Sequence, residues 1–237
     1  MLRVTIAAER PGYGPLSPRA AELMRCFGLD RLDLNEHNRT LPFTFRMAPG
    51  QICLLTGPSG TGKTLLLRFL FEQMNPSSRL RLDEIALESD RSVIDCFSGT
   101  VEETVRLLSG IGLGDVFALL RPPAHLSTGQ QFRYRLLRAV LSGCRHLFVD
   151  EFAAGLDGPG AAALAVQTAR LIRRRRQILF AATPHEELAD YLQPELVIRT
   201  NAPAQVQIEQ RANSTLKGMP PGDRKAKQAA IRRRGLK

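Results

Sequence analysis

The chain has 237 residues, of which 43% are hydrophobic and 24% charged, and this composition fits one substantial domain with a full apolar core. Its formal net charge of +10 allows an anionic partner, such as nucleic acid or a membrane surface. No apolar run is long enough to span a membrane, and the N-terminus lacks the apolar region of a secretion signal. These features argue against integral membrane and secreted proteins, and we expect a soluble, cytoplasmic protein with no membrane segment of its own.

The N-terminal part of the chain shows strand patterns with one short helix between them. Alternating apolar residues indicate half-buried strands, and a serine followed by proline is typical of a helix start. We predict strands over 2–8, 43–47 and 52–55, a loop over 30–40, and a helix over 20–27 that Ser17 caps and Gly28 ends.

The middle of the chain is less regular. A breaker at 75–78 follows the helical run 65–70, and proline residues close the next segment at 122–123. Between these points we predict strands over 79–83 and 92–97, of which the second is more apolar, and short helices over 101–108 and 113–120.

The C-terminal part alternates apolar strands with helices. We predict helices over 131–141, 159–175 and 186–192, strands over 147–151 and 177–182, and a last hairpin formed by 196–200 and 205–208. Beyond residue 211 the composition changes to Lys, Arg, Gly and Pro, which cannot bury enough apolar surface to order itself. We expect a single domain over 1–211 and a disordered basic tail over 212–237.

Strands that alternate with helices are typical of a mostly parallel sheet covered on both faces. The fold class is therefore α/β, with antiparallel strands at the N-terminus. Four cysteines, Cys26, Cys53, Cys96 and Cys144, show no C-x-x-C spacing. Because Cys53 and Cys96 lie in apolar runs, we expect buried free thiols there rather than disulfides or a metal site.

The sequence GPSGTGKT at 57–64 matches the phosphate-binding pattern G-x-x-x-x-G-K-[ST] between a predicted strand and a predicted helix. Its glycines let successive backbone N–H groups turn toward phosphate oxygens, and the helix start favours the same anion. Lys63 supplies a charge for the β- and γ-phosphates, and the Thr64 hydroxyl suits Mg²⁺. The predicted nucleotide-binding residues here are Gly57, Pro58, Ser59, Gly60, Thr61, Gly62, Lys63, Thr64 and Leu65.

Four further motifs follow in a fixed order: LSTGQ at 126–130, LFVDE at 147–151, AGLD at 154–157, and a histidine, His185, after an apolar strand. With the P-loop they resemble the ATP-binding cassette (ABC) ATPases over about 43–199. The resemblance implies a P-loop NTPase fold, ATP and Mg²⁺ as ligands, and hydrolysis of ATP to ADP and phosphate.

Two carboxylates end the LFVDE strand. Asp150 can hold the Mg²⁺ shell, and Glu151 can orient or deprotonate the attacking water. The alternative is a solvated acidic pair at a strand end. His185 can donate to the γ-phosphate and hold the water in line with Glu151, although a lone histidine after a strand is commonly structural. Lys63, Glu151 and His185 are the predicted catalytic residues, and Thr64 and Asp150 the predicted metal ligands.

The LSTGQ motif starts a helix, and a helix N-terminus with a free serine hydroxyl suits an anion. The resemblance implies that Ser127, with Thr128, Gly129 and Gln130, contacts the γ-phosphate bound by another copy. Asp157 of the AGLD motif is assigned to the same nucleotide site. A head-to-tail homodimer with two ATP molecules at its interface follows from this. An ordinary N-capping serine would occupy the same place as Ser127.

The chain departs from the family in three places. No glutamine follows the strand after the P-loop helix, a place we assign to 94–99, where Asp95 or Ser98 can offer an oxygen. Thr128 stands where glycine is commoner. Only 64 positions separate Lys63 from Ser127, which implies a reduced helical subdomain at about 99–143 and argues against transport. Candidates for stacking on adenine are Tyr13, Phe43 and Phe45.

These features most resemble the soluble ABC ATPases found beside, or fused to, acetyltransferase-like domains in bacteria and phages. The arginine run 173–176 and the basic clusters 224–227 and 232–234 can bind phosphate backbones of nucleic acid, or they can be solvated charge. Three functions stay open: an ATP-hydrolysing enzyme with a mechanical or regulatory task, a nucleotide-gated interaction module with little hydrolysis, and the ATPase subunit of a transporter.

Overall fold

A computed structural model describes residues 2–6, 15–29, 43–202 and 205–211. Eight strands are present in this part of the chain, and six of them form one sheet. Their bounds are β1 (Leu2–Ile6), β2 (Phe43–Met47), β3 (Ile52–Thr56), β4 (Arg79–Arg81), β5 (His146–Val149), β6 (Ile178–Thr183), β7 (Leu196–Ala202) and β8 (Gln205–Gln210).

The six-stranded sheet has the order β4-β5-β6-β3-β7-β8. Its first five strands are parallel, and β8 pairs with β7 in antiparallel fashion as the predicted hairpin. Strands β1 and β2 form a separate antiparallel pair, with Leu2 opposite Met47. Every residue of β3, β5 and β6 is buried, which explains why their sequences are continuous apolar runs.

Helices cover both faces of the sheet. Alternate strand residues point into two separate clusters, as the period of two requires. Leu54 and Leu147 belong to one cluster with Leu136 and Leu164, whereas Leu55 belongs to the other. The helices are α1 (Pro18–Cys26), α2 (Lys63–Glu72), α3 (Val101–Gly110), α4 (Val116–Leu119), α5 (Thr128–Leu141), α6 (Gly158–Arg175) and α7 (Ala189–Leu192).

The predicted fold class is confirmed, but the prediction of a strand over 92–97 is wrong. This segment is a short 3-10 turn, Ile94–Cys96, in which the backbone N–H groups of Asp95 and Cys96 donate to carbonyls three residues earlier, at 3.1 Å each. The Ser92 hydroxyl also donates to the Asp95 carboxylate. Val93 and Cys96 are buried because they pack beneath the helices, so their apolar character reflects core packing and not a ladder.

Smaller differences concern element ends. The strand predicted over 79–83 ends at Arg81, and the helix predicted over 113–120 is reduced to α4, which Asp115 caps. Helix α5 begins at Thr128, three residues earlier than predicted, because Ser127 and Gln130 form a capping box. The predicted loop 30–40 and the basic tail 212–237 lie outside the described residues.

All four cysteines are free, and Cys53 and Cys96 are buried as expected. Burial raises the pKa of the Cys53 thiol far above its ordinary value, so this thiol stays protonated and inert. Across 2–6, 15–29, 43–202 and 205–211, no cluster of His, Cys, Asp and Glu side chains suits a metal ion by itself.

The segment after β4 is fastened to α5 by side-chain bonds. The hydroxyl of Tyr134, which is fully buried, donates to Glu88 at 2.6 Å, and Arg138 Nη2 lies 3.6 Å from the same carboxylate. Arg135 Nε donates to the Ile85 carbonyl at 3.1 Å. The chain between β4 and α3 is thereby held against the helix that starts with the LSTGQ motif.

We expect Tyr134→Phe to lower the free energy of unfolding at pH 7 by about 1–3 kcal/mol, since a carboxylate loses its buried donor. Burial alone would raise the pKa of Glu88, but the bond from Tyr134 and the charges of Arg138 and Arg91 lower it below its ordinary value. A lowered folded-state pKa stabilises at neutral pH, and this contribution is lost as pH falls through that pKa. The variant should therefore approach wild type in acid.

Denaturant unfolding at pH 7 and near pH 3 measures this effect. Tyr191→Phe is the control, because that side chain is 44% exposed. An equal loss for Tyr134→Phe at both pH values would show that the bond to Glu88 does not contribute.

Candidate functional site

The P-loop connects the end of β3 to the start of α2. Gly62 precedes the helix with φ 95°, and Gly57 has φ 142°, both in the region that favours glycine. A Cβ atom on Gly57 would lie 2.2 Å from the Thr200 carbonyl oxygen of β7. The first glycine of the motif is therefore required by a neighbouring backbone as well as by its own conformation.

Lys63 is held by the loop itself. Its Nζ donates to the carbonyl oxygens of Gly57 at 2.7 Å and Pro58 at 2.6 Å. Burial lowers the pKa of Lys63, while the charges of Asp150 and Glu151 act in the opposite direction. The Lys63 ammonium group thus points into the loop that it is predicted to serve.

Asp150 and Glu151 follow β5 directly, and both are exposed. The Glu151 N–H donates to Asp150 Oδ1 at 3.0 Å, and Glu151 has φ 50°, an uncommon value for a residue with a side chain. The next residue, Phe152, is buried, and its N–H donates to the Ala182 carbonyl at 2.7 Å. Thr183 returns a bond to the Phe152 carbonyl at 3.1 Å, which fixes the backbone that carries Glu151.

A cavity of about 450 Å³ lies where the P-loop meets the ends of β5 and β6. Hydroxyl and carboxylate oxygens are the ligands that Mg²⁺ prefers, so Thr64 and Asp150, which share this cavity, fit that ion. Its lining includes Ser59, Gly60, Gly62, Lys63, Thr64, Leu65, Asp150, Glu151, Ala182, Thr183 and Pro184.

An adjoining cavity of about 470 Å³ extends toward α5. It shares Thr64, Asp150 and Glu151 with the first, and adds Thr128 and Gly129 of the LSTGQ motif. A Cβ on Gly129 would meet Leu156 Cδ2 at 2.8 Å, so glycine lets α5 approach the loop after β5. Ala154, Gly155 and Leu156 of the AGLD motif line this cavity too, so the structure brings four of the predicted motifs together around one space.

Other predicted residues lie apart from these cavities. Ser127 caps α5 by accepting from the Gln130 N–H at 3.4 Å, and Gln130 Oε1 accepts from the Ser127 N–H at 3.1 Å. Asp157 caps α6 by accepting from the Gly160 N–H at 3.4 Å. All three side chains thus serve helix starts in this structure, the alternative that we kept open for Ser127.

His185 is exposed beside the first cavity without lining it. Its ring Nδ1 lies 3.3 Å from Glu187 Oε1, and its backbone N–H donates to the Thr183 hydroxyl at 3.2 Å. The backbone of this segment is therefore tied to the end of β6, while the ring lies against the carboxylate of Glu187.

The strand that follows the P-loop helix is β4, so the place of the missing glutamine is not 94–99 as predicted. The residue two positions after β4 is Asp83, which lines the larger cavity with Thr64 and Asp150. Arg81 Nε donates to Asp83 Oδ1 at 3.0 Å. Neither cavity is lined by Asp95 or Ser98. The position of Asp83 follows from the pairing of β4 with β5. The sequence alone does not predict it, because 92–97 has the more apolar pattern and is predicted as the strand before this place.

Of the three aromatic residues considered for adenine, Phe45 is buried in the core and thus not accessible for stacking. Tyr13 and the side chain of Phe43 lie outside the described residues.

Comparison with known proteins agrees with this site. The family model described as "ABC transporter" matches residues 41–154. A cytochrome c biogenesis ATP-binding export protein, CcmA, from Maricaulis maris is 30% identical in an alignment of 167 positions that covers 61% of this chain and 78% of the relative. A putative hemin import ATP-binding protein, HrtA, from Staphylococcus aureus is 25% identical in an alignment of 183 positions that covers 62% of this chain and 82% of the relative.

The chain belongs to the ABC ATPase family. Hydrolysis of ATP is the characteristic activity of that family and uses Mg²⁺, so the protein is an ATP-binding and ATP-hydrolysing domain. The prediction of a soluble subgroup associated with acetyltransferase-like domains stays a prediction.

Solved structures agree in fold. A dimeric ATP-binding cassette in a post-hydrolysis state, bound to ADP and Pi, superposes with a TM-score of 0.57 at 14% identity, over 73% of this chain and 91% of that chain. A metal-chelate type ABC transporter in an inward-facing conformation gives 0.53 at 17% identity, over 73% and 76%. In the part of the chain that is described, no helix combines the length and apolar character needed to cross a membrane.

Proposed function

We propose that the protein hydrolyses ATP as a head-to-tail homodimer, with one nucleotide held between the P-loop of each copy and the LSTGQ motif of the other. The observation that carries the hydrolysis is the shared lining of the two cavities by Thr64, Asp150 and Glu151. The dimer is supported by the dimeric ATP-binding cassette of the same fold and by Ser127 and Gln130, which line neither cavity of their own copy. A phosphate site, metal-binding oxygens and a carboxylate near the reacting phosphorus are the parts that phosphoryl transfer to water needs.

In this proposal the backbone N–H groups of 57–64 hold the phosphates at the start of α2. Lys63 leaves its carbonyl partners and donates to the β- and γ-phosphates. Thr64 and Asp150 hold Mg²⁺, which neutralises charge on the phosphates when bound. Glu151, fixed by its backbone contacts, orients the water and accepts its proton.

His185 and the LSTGQ residues complete the site. The exposed His185 ring turns from Glu187 to the γ-phosphate, and the other copy supplies Ser127, Thr128, Gly129 and Gln130, with Asp157 beside them. Ser127 is exposed at the N-terminus of α5, a helix of 14 residues. It is therefore accessible to a phosphate that is bound by another copy.

Steady-state hydrolysis against protein concentration tests the dimer. Turnover per copy should rise with concentration, because each site requires two copies. Light scattering should show a dimer with ATP and Mg²⁺ and a monomer without them. Turnover per copy that is constant down to concentrations where only monomer exists would rule out the composite site.

The biological task has two candidates. We favour a soluble, cytoplasmic enzyme outside transport, since the short segment from Lys63 to Ser127 leaves a reduced helical region. The basic tail would then meet nucleic acid. The second candidate, the ATPase subunit of a transporter, is favoured by relatives named as export and import ATP-binding proteins and by the 63–74% exposure of Val116, Phe117 and Leu120.

Two additions to the hydrolysis assay separate these candidates. Stimulation by duplex DNA at low salt, lost when 212–237 are deleted, would support the first. Recovery of a membrane protein with the tagged chain, lost in Phe117→Ser, would support the second. A nucleotide-gated module would bind ATP and dimerise without measurable turnover.

We also propose that Asp83 takes the place of the missing glutamine as an oxygen near Mg²⁺. Asp83→Ala should raise the Mg²⁺ concentration for half-maximal turnover about 5- to 10-fold, because a carboxylate leaves the cavity that holds Thr64 and Asp150. Asp95→Ala is the matched control. If Asp95→Ala shifts the Mg²⁺ dependence and Asp83→Ala does not, the assignment to Asp83 is wrong.

A further inference from the structure

The end of β7 lies against the P-loop. Thr200 is 3% exposed, and its hydroxyl is 2.6 Å from the Thr61 hydroxyl. Thr61 Oγ1 in turn donates to the Pro58 carbonyl at 2.8 Å. Either hydroxyl can donate within this pair, and Thr200 Oγ1 can also donate to the Thr56 carbonyl at 3.3 Å. A chain of two hydrogen bonds therefore runs from β7 into the loop that wraps the phosphates.

The backbone of Thr200 also contacts the P-loop, at its first glycine. The Thr200 carbonyl occupies the space next to Gly57, where a Cβ would approach it to 2.2 Å. Thr200 Oγ1 also lies 3.3 Å from the Thr56 carbonyl, at the point where β3 ends. The first glycine and the fifth residue of the P-loop are thus both positioned by one residue of a neighbouring strand.

The preceding residue reaches a different part of the site. Arg199 Nε lies 2.6 Å from Glu186 Oε1, and Arg199 Nη1 lies 2.5 Å from Glu209 Oε2 on β8. Glu186 directly follows His185. Because neighbouring residues of a strand point to opposite sides, Arg199 and Thr200 hold two separate segments without sharing a partner.

We propose that Arg199 and Thr200 form a two-armed clamp at the end of β7, in which Thr200 positions the P-loop for phosphate binding and Arg199 positions the segment that carries His185. Both are positioning residues, since each acts through another residue. The kinetic effect of the Arg199 arm rests on the role proposed for His185. If Thr200 and Arg199 had no such roles, replacing them would change the stability of the fold and leave nucleotide binding and turnover unchanged.

The Thr200 arm is tested by titration with a non-hydrolysable ATP analogue. Thr200→Val keeps the shape and removes the donor, so affinity should fall about 3- to 10-fold. Thr200→Ser keeps the donor and should bind within about 2-fold of wild type. Wild-type affinity in Thr200→Val, or an equal loss in both variants, would overturn this arm.

The Arg199 arm is tested with Arg199→Met by hydrogen exchange and by kinetics. Amides of 185–188 should exchange faster, kcat should fall about 3- to 10-fold, and analogue affinity should stay within about 2-fold. Arg106→Met is the control, because that arginine forms an exposed pair with Glu102 on α3. Unchanged exchange of 185–188, or faster exchange without a fall in kcat, would overturn this arm.

The outcomes for the clamp and for the proposed function are distinguishable. Absence of turnover in wild type would contradict the proposed hydrolysis by Glu151. Analogue affinity and hydrogen exchange need no turnover, so unchanged affinity in Thr200→Val or unchanged exchange in Arg199→Met would reveal a failed clamp even in a protein that does not hydrolyse ATP.

Discussion

Replacing Glu151 by Gln should reduce ATP turnover at least about 10²-fold and leave a stable dimer that keeps its nucleotide. The amide has nearly the shape of the carboxylate but cannot accept the proton of the attacking water. Binding should survive, because the P-loop and the metal-binding oxygens of Thr64 and Asp150 are unchanged. The expected result is therefore a protein that assembles with ATP and fails to disassemble.

Single-turnover hydrolysis measures the loss of turnover, and light scattering in ATP and Mg²⁺ measures whether the dimer persists. Glu102→Gln is the matched control, because that side chain is 83% exposed in a helix-surface pair. Hydrolysis at the wild-type rate in Glu151→Gln would remove the catalytic role of Glu151. Loss of both turnover and binding would point instead to a structural role.

Replacing Gly57 by Ala should weaken ATP binding by about 10²-fold, the scale of effect that a 1 Å displacement has in a positioned site. The new methyl group would meet the Thr200 carbonyl at 2.2 Å, and this neighbour is backbone, which cannot rotate away. The φ of 142° adds strain, since residues with a Cβ avoid this region. The loop must move for the variant to fold.

Calorimetric titration with a non-hydrolysable ATP analogue measures the loss. The control is Gly110→Ala at the end of α3, where a Cβ meets nothing within 4 Å. That variant should bind normally and unfold with equal or slightly higher stability. Normal affinity in Gly57→Ala would show that the close approach of β7 and the P-loop relaxes at little cost.

The sequence predicted best those parts of the site that depend on neighbouring residues. The P-loop needs glycines between a strand and a helix, and Asp150 and Glu151 end an apolar strand, so short stretches carry these signals. The capping of α5 by Ser127 has the same local origin. These features lie where the sequence patterns predicted them.

Features that depend on contacts between segments far apart in the chain could not be predicted from local sequence patterns. Asp83 is placed by the pairing of β4 with β5, although 92–97 has the stronger strand pattern. Thr200 contacts Thr61 across 139 positions, and nothing in its local sequence distinguishes it from other strand threonines. The direction of the His185 ring likewise depends on Glu187 and not on any motif.

The hydrogen bonds of Lys63 to the Gly57 and Pro58 carbonyls contribute to the free energy of nucleotide binding, because they must break when Lys63 turns to the phosphates. The ammonium group of Lys63 is not a free charge in the loop, because two peptide oxygens accept hydrogen bonds from it. Arrival of a triphosphate is therefore an exchange, in which old partners are surrendered as new ones form. The measured affinity would then report the difference in free energy between the two sets of Lys63 partners.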